Sequence, residues 1–267
     1  SHIRRWINTA VLFFIKIKPD FVDHIYVITT DNSTDRLNNF LKKYPFEDYN
    51  LQVITIITDT FINTNVNDID GSITEKVAFS NKYICKDARK KGYKKILVFE
   101  DDAELAPYYT VEKMKIVFDW IKNNDFDIYY LGHIPTNLQL LVNSFTVKTL
   151  GSLETHALCY SEKVMKLIVN KMNVTENSKF DLLKFKNDGN DYSIDNFLRI
   201  ESKFLNAYAC YPIMFYQNVH PKDVLIAIKS GIFPNDSIEY WSNSVSDTVI
   251  VTSQLIIIFI IILTIVL

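Results

Sequence analysis

The segment ILVFEDDAEL (residues 96–105) places three acidic residues directly after an uninterrupted run of apolar ones. A short apolar run without alternation predicts a strand buried on both faces, as in a parallel sheet. Ligands of open α/β sheets bind outside the carboxyl ends of the strands, so Glu100, Asp101 and Asp102 are candidate ligand-binding residues. Neighbouring carboxylates repel each other, and Mg²⁺ or Mn²⁺ is commonly held by one or two carboxylates plus substrate phosphates. The segment therefore predicts a metal-diphosphate site, with a solvated acidic turn as the alternative.

Strand-like and helix-like segments alternate on both sides of these acids. The alternation predicts an α/β domain with a mainly parallel central sheet. The predicted strands are residues 24–29, 51–57, 96–99, 126–131 and 207–212, with a strand-to-helix passage at 155–160, and the predicted helices are 35–44, 72–91, 111–122, 162–171 and 193–198.

The composition excludes several other functions. With 48% hydrophobic and 22% charged residues, the chain of 267 residues can bury a core, and a net charge of −2 gives no basic surface for nucleic acid. The 6 glycines form neither a dinucleotide fingerprint nor a phosphate-binding P-loop. A bound nucleotide would therefore need a metal or cationic side chains for its phosphates. The 3 cysteines are widely spaced and are expected to be buried thiols.

The two ends of the chain are apolar. Residues 248–267, TVIVTSQLIIIFIIILTIVL, contain no charge, and a helix of this length would span about 30 Å, the hydrocarbon thickness of a bilayer. We predict a single-pass C-terminal transmembrane helix here, with a buried core helix as the alternative. Residues 1–18 are predicted to form a packed helix or an edge strand, although they resemble a short signal sequence. Residues 19–247 then form the main domain. Orientation and compartment stay open, and a membrane of the secretory pathway is one candidate.

Four segments of the chain share the order and spacing of a known family. They are HIYVITTDNSTDR (24–36), AFSNKYICKDARKKGYKKILVFEDDAEL (78–105), FDIYYLG (126–132) with THALCYS (155–161), and SIDNFL with YACYPIMFYQ (within 193–217). Together they resemble glycosyltransferase family 25, the lipopolysaccharide-biosynthesis and procollagen galactosyltransferase type. The family's usual Ser-His pair is replaced here by Ser80 and Asn81, and Leu158 stands where an aromatic residue is common.

This resemblance implies a GT-A fold, a UDP-sugar donor, a Mn²⁺ or Mg²⁺ ion and, for most of the family, inversion at the anomeric carbon. Asp101 and Asp102 would be the metal ligands, with Glu100 beside them. Inversion requires a base for the acceptor hydroxyl. Our candidate is Asp195, whose predicted position at a helix start would keep its carboxylate ionised. A mere capping role is the alternative.

Further candidates follow from the same comparison. His156 would contact the donor phosphate or the acceptor, unless it is a structural histidine. Arg36 would bind the diphosphate or the base, unless it forms a surface salt bridge. Thr29, Thr30 and Asp31 end the first predicted strand, where GT-A enzymes hold the nucleoside.

The favoured hypothesis is a membrane-anchored, metal-dependent glycosyltransferase that moves galactose or glucose to a hydroxyl of a glycan, lipid or protein. The first alternative is an inactive glycosyltransferase fold that acts as a membrane-tethered binding or scaffold protein. It is permitted by Asn81 and Leu158, whereas the intact acidic triplet argues against it. The second alternative is a nucleotidyltransferase, which would usually carry a phosphate loop rich in glycine and lysine.

Overall fold

A computed structural model describes residues 17–30, 33–46, 51–56, 73–135, 137–153, 155–172, 193–217, 251–256 and 259. The predictions for residues 1–16, for Asp31 and for most of the apolar C-terminal segment lie outside these ranges. Within the described residues, no helix is both long enough and apolar enough to cross a membrane.

The structure describes twelve strands, five helices within residues 17–217 and a helical segment at residues 251–256. The strands are β1 His24–Thr30, β2 Leu51–Ile56, β3 Lys95–Glu100, β4 Ala103–Leu105, β5 Ile128–Tyr130, β6 Ile134–Pro135, β7 Gln139–Asn143, β8 Thr146–Thr149, β9 Ser152–Leu153, β10 Ala157–Ser161, β11 Ala207–Cys210 and β12 Phe215–Gln217. The helices are α1 Thr34–Lys43, α2 Ile73–Lys90, α3 Val111–Asn123, α4 Glu162–Lys171 and α5 Ile194–Glu201, and a 3-10 turn follows at Ser202–Phe204.

Eight of the strands form one sheet in the order β2-β1-β3-β10-β5-β11-β8-β7. Six of them run in one direction, which confirms the mainly parallel sheet of an α/β fold. β10 and β8 run against the others, because β10 pairs antiparallel with β3 and β5, and β8 pairs antiparallel with β11 and β7. The sheet is therefore mixed at its centre and at one end.

The core lies on both faces of this sheet. Tyr26 and Val98 belong to the apolar cluster that includes residues of α2, α4 and α5. Val27 and Leu97 belong to the cluster on the other face, which includes residues of α1 and α3. The central strands are buried on both sides, which explains why β3 is an uninterrupted apolar run.

The chain leaves β3 at Glu100 and turns through Asp101 and Asp102 into β4. β4 pairs antiparallel with β12, so that Gln217 lies opposite Ala103. This small second sheet fixes the path of the chain after the acidic residues. The strands β4, β6, β7, β8 and β9 were not predicted from the sequence.

Candidate active site

A cleft of about 300 Å³ opens where β1 and β3 end and where α5 begins. Four carboxyl groups and one guanidinium group line it, together with small polar and aliphatic side chains. The lining residues are Ile28, Thr29, Thr30, Arg36, Val77, Glu100, Asp101, Asp102, Thr155, Ser193, Ile194, Asp195 and Gln217. Most of the predicted site residues are therefore brought together in one place.

Asp101 is held on three sides. Its backbone N–H donates to the carbonyl of Ile28 at 2.9 Å, which ties the turn to the end of β1. Its carboxylate accepts a hydrogen bond from Thr29 Oγ1 at 2.6 Å and one from Arg36 Nη2 at 2.5 Å. Burial raises the pKa of Asp101, and the bonds from Thr29 and Arg36 oppose that rise. The side chain is thus fixed in place with its charge partly balanced.

Asp102 has fewer partners. Gln217 Nε2 donates to its Oδ2 at 3.2 Å, and Arg36 Nη1 lies 3.9 Å from the same oxygen. Its Oδ1 is buried and has no hydrogen-bond partner in the described part of the chain. Burial raises the pKa of this carboxyl group. A buried acceptor without a donor is costly, and native proteins usually provide one.

This arrangement fits a hard divalent cation. Asp101 and Asp102 supply two adjacent carboxylates, and the buried Oδ1 of Asp102 offers a lone pair that no described donor occupies. Among the described residues, no group of three or more His, Cys, Asp or Glu side chains is arranged to hold a metal ion. A metal at this pair would therefore need further oxygens from water or from a bound diphosphate, which is how Mg²⁺ is often held.

Glu100 faces the same cleft at the end of β3. Thr155 Oγ1 donates to its Oε1 at 3.3 Å. Burial raises the pKa of Glu100 well above its usual range, and the neighbouring charges of Asp102 and Asp195 add to the rise. Glu100 therefore takes up a proton more readily than an ordinary glutamate.

Asp195 lies in the first turn of α5 and lines the cleft. The cap of this helix is Ser193, whose Oγ accepts the backbone N–H of Asn196 at 3.2 Å. Capping is thus performed two residues earlier, and the carboxylate of Asp195 is not needed for that role. Asp195 lines the cleft from the first turn of this helix, and its role as the base stays a prediction.

Arg36, Thr29 and Thr30 also line the cleft, as predicted for a donor site. The side chain of Arg36 is about half exposed and pairs with the two candidate metal ligands, so it is not an isolated surface salt bridge. Thr30 Oγ1 is hydrogen-bonded to Ser33 Oγ just before α1. The predicted role of Asp31 falls outside the described residues.

His156 is not brought into the cleft. Its ring is buried, and Nε2 lies 3.0 Å from the carbonyl oxygen of Phe215. Burial lowers the pKa of the imidazole, which favours its neutral form. A Cβ at Gly132 would come within 2.0 Å of His156 Nε2. The geometry is that of a structural histidine packed against a glycine.

Sequence reasoning missed Thr155, Ser193 and Gln217 as lining residues. Each lies inside a segment already quoted for the family resemblance. Thr155 directly precedes His156, the residue that the sequence analysis predicts in the site. Gln217 could not be recognised locally, because its contact with Asp102 joins residues 115 positions apart.

No protein family and no curated protein matches this chain in sequence. Among solved structures, similarity is found to A197 from STIV, with 8% identity over 74% of this chain and 86% of that chain and a TM-score of 0.39. UDP-glucose pyrophosphorylase in its apo form shares 8% identity over 81% of this chain and 79% of that chain, with a TM-score of 0.37. A glycosyltransferase involved in the glycosylation of the major capsid of PBCV-1 shares 6% identity over 71% of this chain and 94% of that chain, with a TM-score of 0.30.

Nucleotide-sugar enzymes and glycosyltransferases are thus among the structures that resemble this chain. All three TM-scores lie below 0.5, so these similarities decide neither the fold family nor the activity of the protein. Its membership of glycosyltransferase family 25 stays a prediction.

Proposed function

We propose that the protein is a metal-dependent glycosyltransferase that transfers galactose or glucose from a UDP-sugar to a hydroxyl group of a glycan, lipid or protein. The observation that carries the proposal is the pair Asp101 and Asp102 at the end of a buried strand, with one buried oxygen that no described donor contacts. The pair shares a cleft with Asp195, which supplies a separate carboxylate on another element.

Asp101 and Asp102 would hold Mn²⁺ or Mg²⁺ together with the diphosphate of the donor. When bound, such an ion offsets the negative charge that develops on the leaving diphosphate. Thr29 and Arg36 keep the carboxylate of Asp101 in position through their hydrogen bonds. Gln217 does the same for Asp102 from β12.

The donor would lie along the end of β1, against Thr29, Thr30, Asp31 and Arg36. Arg36 suits the diphosphate because its guanidinium has five N–H donors and is already located at the metal ligands. Because the Arg36 side chain is about half exposed, some of its N–H groups can turn towards phosphate oxygens while the side chain stays in the cleft.

Asp195 would act as the base in an inverting transfer. The acceptor hydroxyl oxygen attacks the anomeric carbon, the bond from that carbon to the diphosphate oxygen breaks, and the hydroxyl proton passes to the Asp195 carboxylate. Glu100 is less suited to this role, because burial and its acidic neighbours favour its protonated form. Glu154 and Asp191 are the next candidates and lie outside the described residues.

The membrane is proposed as the location, through a single-pass helix in residues 248–267. The support is the sequence itself, which carries no charge over a length that can span a bilayer. The main domain would then lie at the membrane surface. A signal role for residues 1–18 stays an alternative.

The test is UDP release from a panel of UDP-sugars in Mn²⁺, in Mg²⁺ and in EDTA. We expect release with at least one donor in Mn²⁺ or Mg²⁺ and none in EDTA. Asp102→Asn should abolish it, whereas Asp119→Asn, an exposed aspartate on α3 outside the cleft, should not. Tight UDP binding without release from any donor would instead support the inactive binding protein.

A further inference from the structure

The last strand of the sheet exposes apolar side chains on both of its faces. Leu140, Leu141 and Val142 of β7 are 39%, 46% and 47% exposed, and successive side chains of a strand point to opposite faces. β7 ends the sheet, and none of the described strands pairs with its outer edge. Proteins normally protect such an edge with charges, prolines or a covering element. We therefore expect another molecule to cover this apolar surface.

A second apolar segment lies against the same strand. Residues 251–256 are helical, and Ser253 is buried where its Oγ accepts the backbone N–H of Gln139 at 3.1 Å. Large apolar side chains around Ser253 are exposed, namely Val251, Leu255, Ile256 and Phe259. Two exposed apolar elements are thus joined at the start of β7.

The charge pattern of this surface favours a lipid bilayer as its partner. Residues 132–153 contain no aspartate or glutamate, and residues 248–267 contain no charged residue. Lys148 lies opposite Leu140 in the β7–β8 register. An exposed apolar surface without acidic groups can enter the headgroup region of a bilayer without repulsion from anionic lipids, and the lysine at its margin adds attraction to them.

The outer edge of β7 is less suited to strand pairing with a second copy of the chain than to contact with lipid. The register between β7 and β8 is irregular between Leu141 and Asn143, and bulges of this kind twist an edge away from further pairing. The backbone N–H of Gln139 is already bonded to Ser253. The edge is therefore neither flat nor fully available, whereas lipid contact needs only the side chains.

We infer that the β7–β8 hairpin, residues 139–149, is a membrane-contacting surface. Leu140, Leu141 and Val142 enter the boundary between lipid headgroups and acyl chains. The hairpin lies at the opposite end of the sheet from β2, β1 and β3, so the cleft at β1 and β3 stays in water. The inference does not depend on the proposed reaction. It adds a second membrane contact beside the proposed C-terminal anchor, whose residues 251–256 lie against the start of β7.

The experiment places a fluorescent reporter on the hairpin of the full-length chain. Leu141→Cys and Val142→Cys are labelled with an environment-sensitive nitrobenzoxadiazole dye. The native thiols Cys85, Cys159 and Cys210 are buried, so they are poor targets for the reagent. Ile116→Cys on α3 is the matched control, because Ile116 is also apolar and is 49% exposed. The vesicles contain phosphatidylcholine and phosphatidylglycerol, with or without phosphatidylcholine doxyl-labelled at carbon 5.

We expect a blue-shifted emission at positions 141 and 142 on addition of vesicles, and its quenching by the doxyl lipid, with neither effect at position 116. Absence of quenching at 141 and 142 overturns the inference, and so does equal quenching at all three positions. A blue shift that rises with protein concentration without lipid would assign the surface to a second copy instead. UDP release by the labelled variants is measured separately, so a failure of the proposed reaction is distinguished from a failure of the membrane contact.

Discussion

In the variant Asp102→Asn, the affinity for UDP should no longer depend on the metal ion. The substitution removes the charge of a carboxylate whose Oδ1 has no described donor and leaves a side chain of the same shape. In Mn²⁺ the variant loses a metal ligand, so UDP should bind more weakly. In EDTA the variant no longer repels the diphosphate, so UDP should bind more tightly than to the wild type. Few other roles for Asp102 would give these two opposite changes.

The size of the second effect can be worked from the cleft. We take about 4 Å as the distance between a bound diphosphate and the Asp102 carboxylate, similar to the 3.9 Å between Arg36 Nη1 and Asp102 Oδ2. Two unit charges about 4 Å apart interact by about 4 kcal/mol at an effective dielectric of about 20. Discounting by half for solvent in the open cleft leaves about 2 kcal/mol, or an affinity change of about 30-fold.

The assay is calorimetric titration of UDP into wild type, Asp102→Asn and the control Asp119→Asn, each in Mn²⁺ and in EDTA. The ratio of the two affinities should be large for wild type and the control, and close to one for Asp102→Asn. Thermal unfolding confirms that the variant is folded. Equal affinity of the wild type in Mn²⁺ and in EDTA would refute the reasoning and remove the metal from the site.

Four further outcomes are expected. Asp195→Asn should lower the turnover by about 10²–10⁴-fold while UDP binding persists, since only basicity is lost; unchanged turnover in a coupled assay would exclude it as the base. Burial lowers the pKa of His133 to about 4, so the unfolded chain binds a proton below about pH 6.5 that the folded protein does not. The contribution of His133 to the free energy of unfolding should therefore fall by about 3 kcal/mol as the pH drops from 6.5 to 4, and the difference between urea titrations of the wild type and of His133→Asn should show this fall. Gly132→Ala should lower the melting temperature markedly, because its Cβ would lie 2.0 Å from His156 Nε2, whereas Gly92→Ala meets no atom within 4 Å and tests only the cost of a positive φ. Removal of residues 248–267 should abolish the need for detergent and preserve UDP release; aggregation or loss of the folded state on truncation would identify a core helix instead.

Local signals were sufficient for most helices and central strands. The prediction of residues 162–171 agrees with α4, Glu162–Lys171, because Ser161 caps the helix through the N–H of Val164 and an amphipathic pattern follows. β3 was predicted because its apolar run is too short for a typical helix and ends at a cluster of acids. In both places, the information lies within a few neighbouring residues.

Long-range pairing could not be predicted in the same way. The reversal of β10 depends on its pairing with β3 and β5, and nothing in the residues of β10 itself specifies a direction. The strands of the β7–β8 hairpin lack the alternation that identifies a half-buried strand, because β7 exposes both faces. The site shows the same limit of sequence-based prediction. Thr155 and His156 are neighbours in the chain, and only the fold determines that Thr155 faces the cleft while His156 is buried against Phe215.

The charges of the cleft connect its stability with its proposed role. Burial raises the pKa of Glu100, Asp101 and Asp102, so keeping these acids ionised destabilises the folded protein. One guanidinium, that of Arg36, contacts two of the three and cannot balance them all. A core that only needed to fold would be more stable with fewer buried carboxylates, because unbalanced charge is unfavourable away from water. Destabilising groups of this kind concentrate at functional sites. The arrangement makes physical sense if a cation and a diphosphate complete the charge balance, and this is why the acidic cleft, rather than the fold, carries the functional proposal.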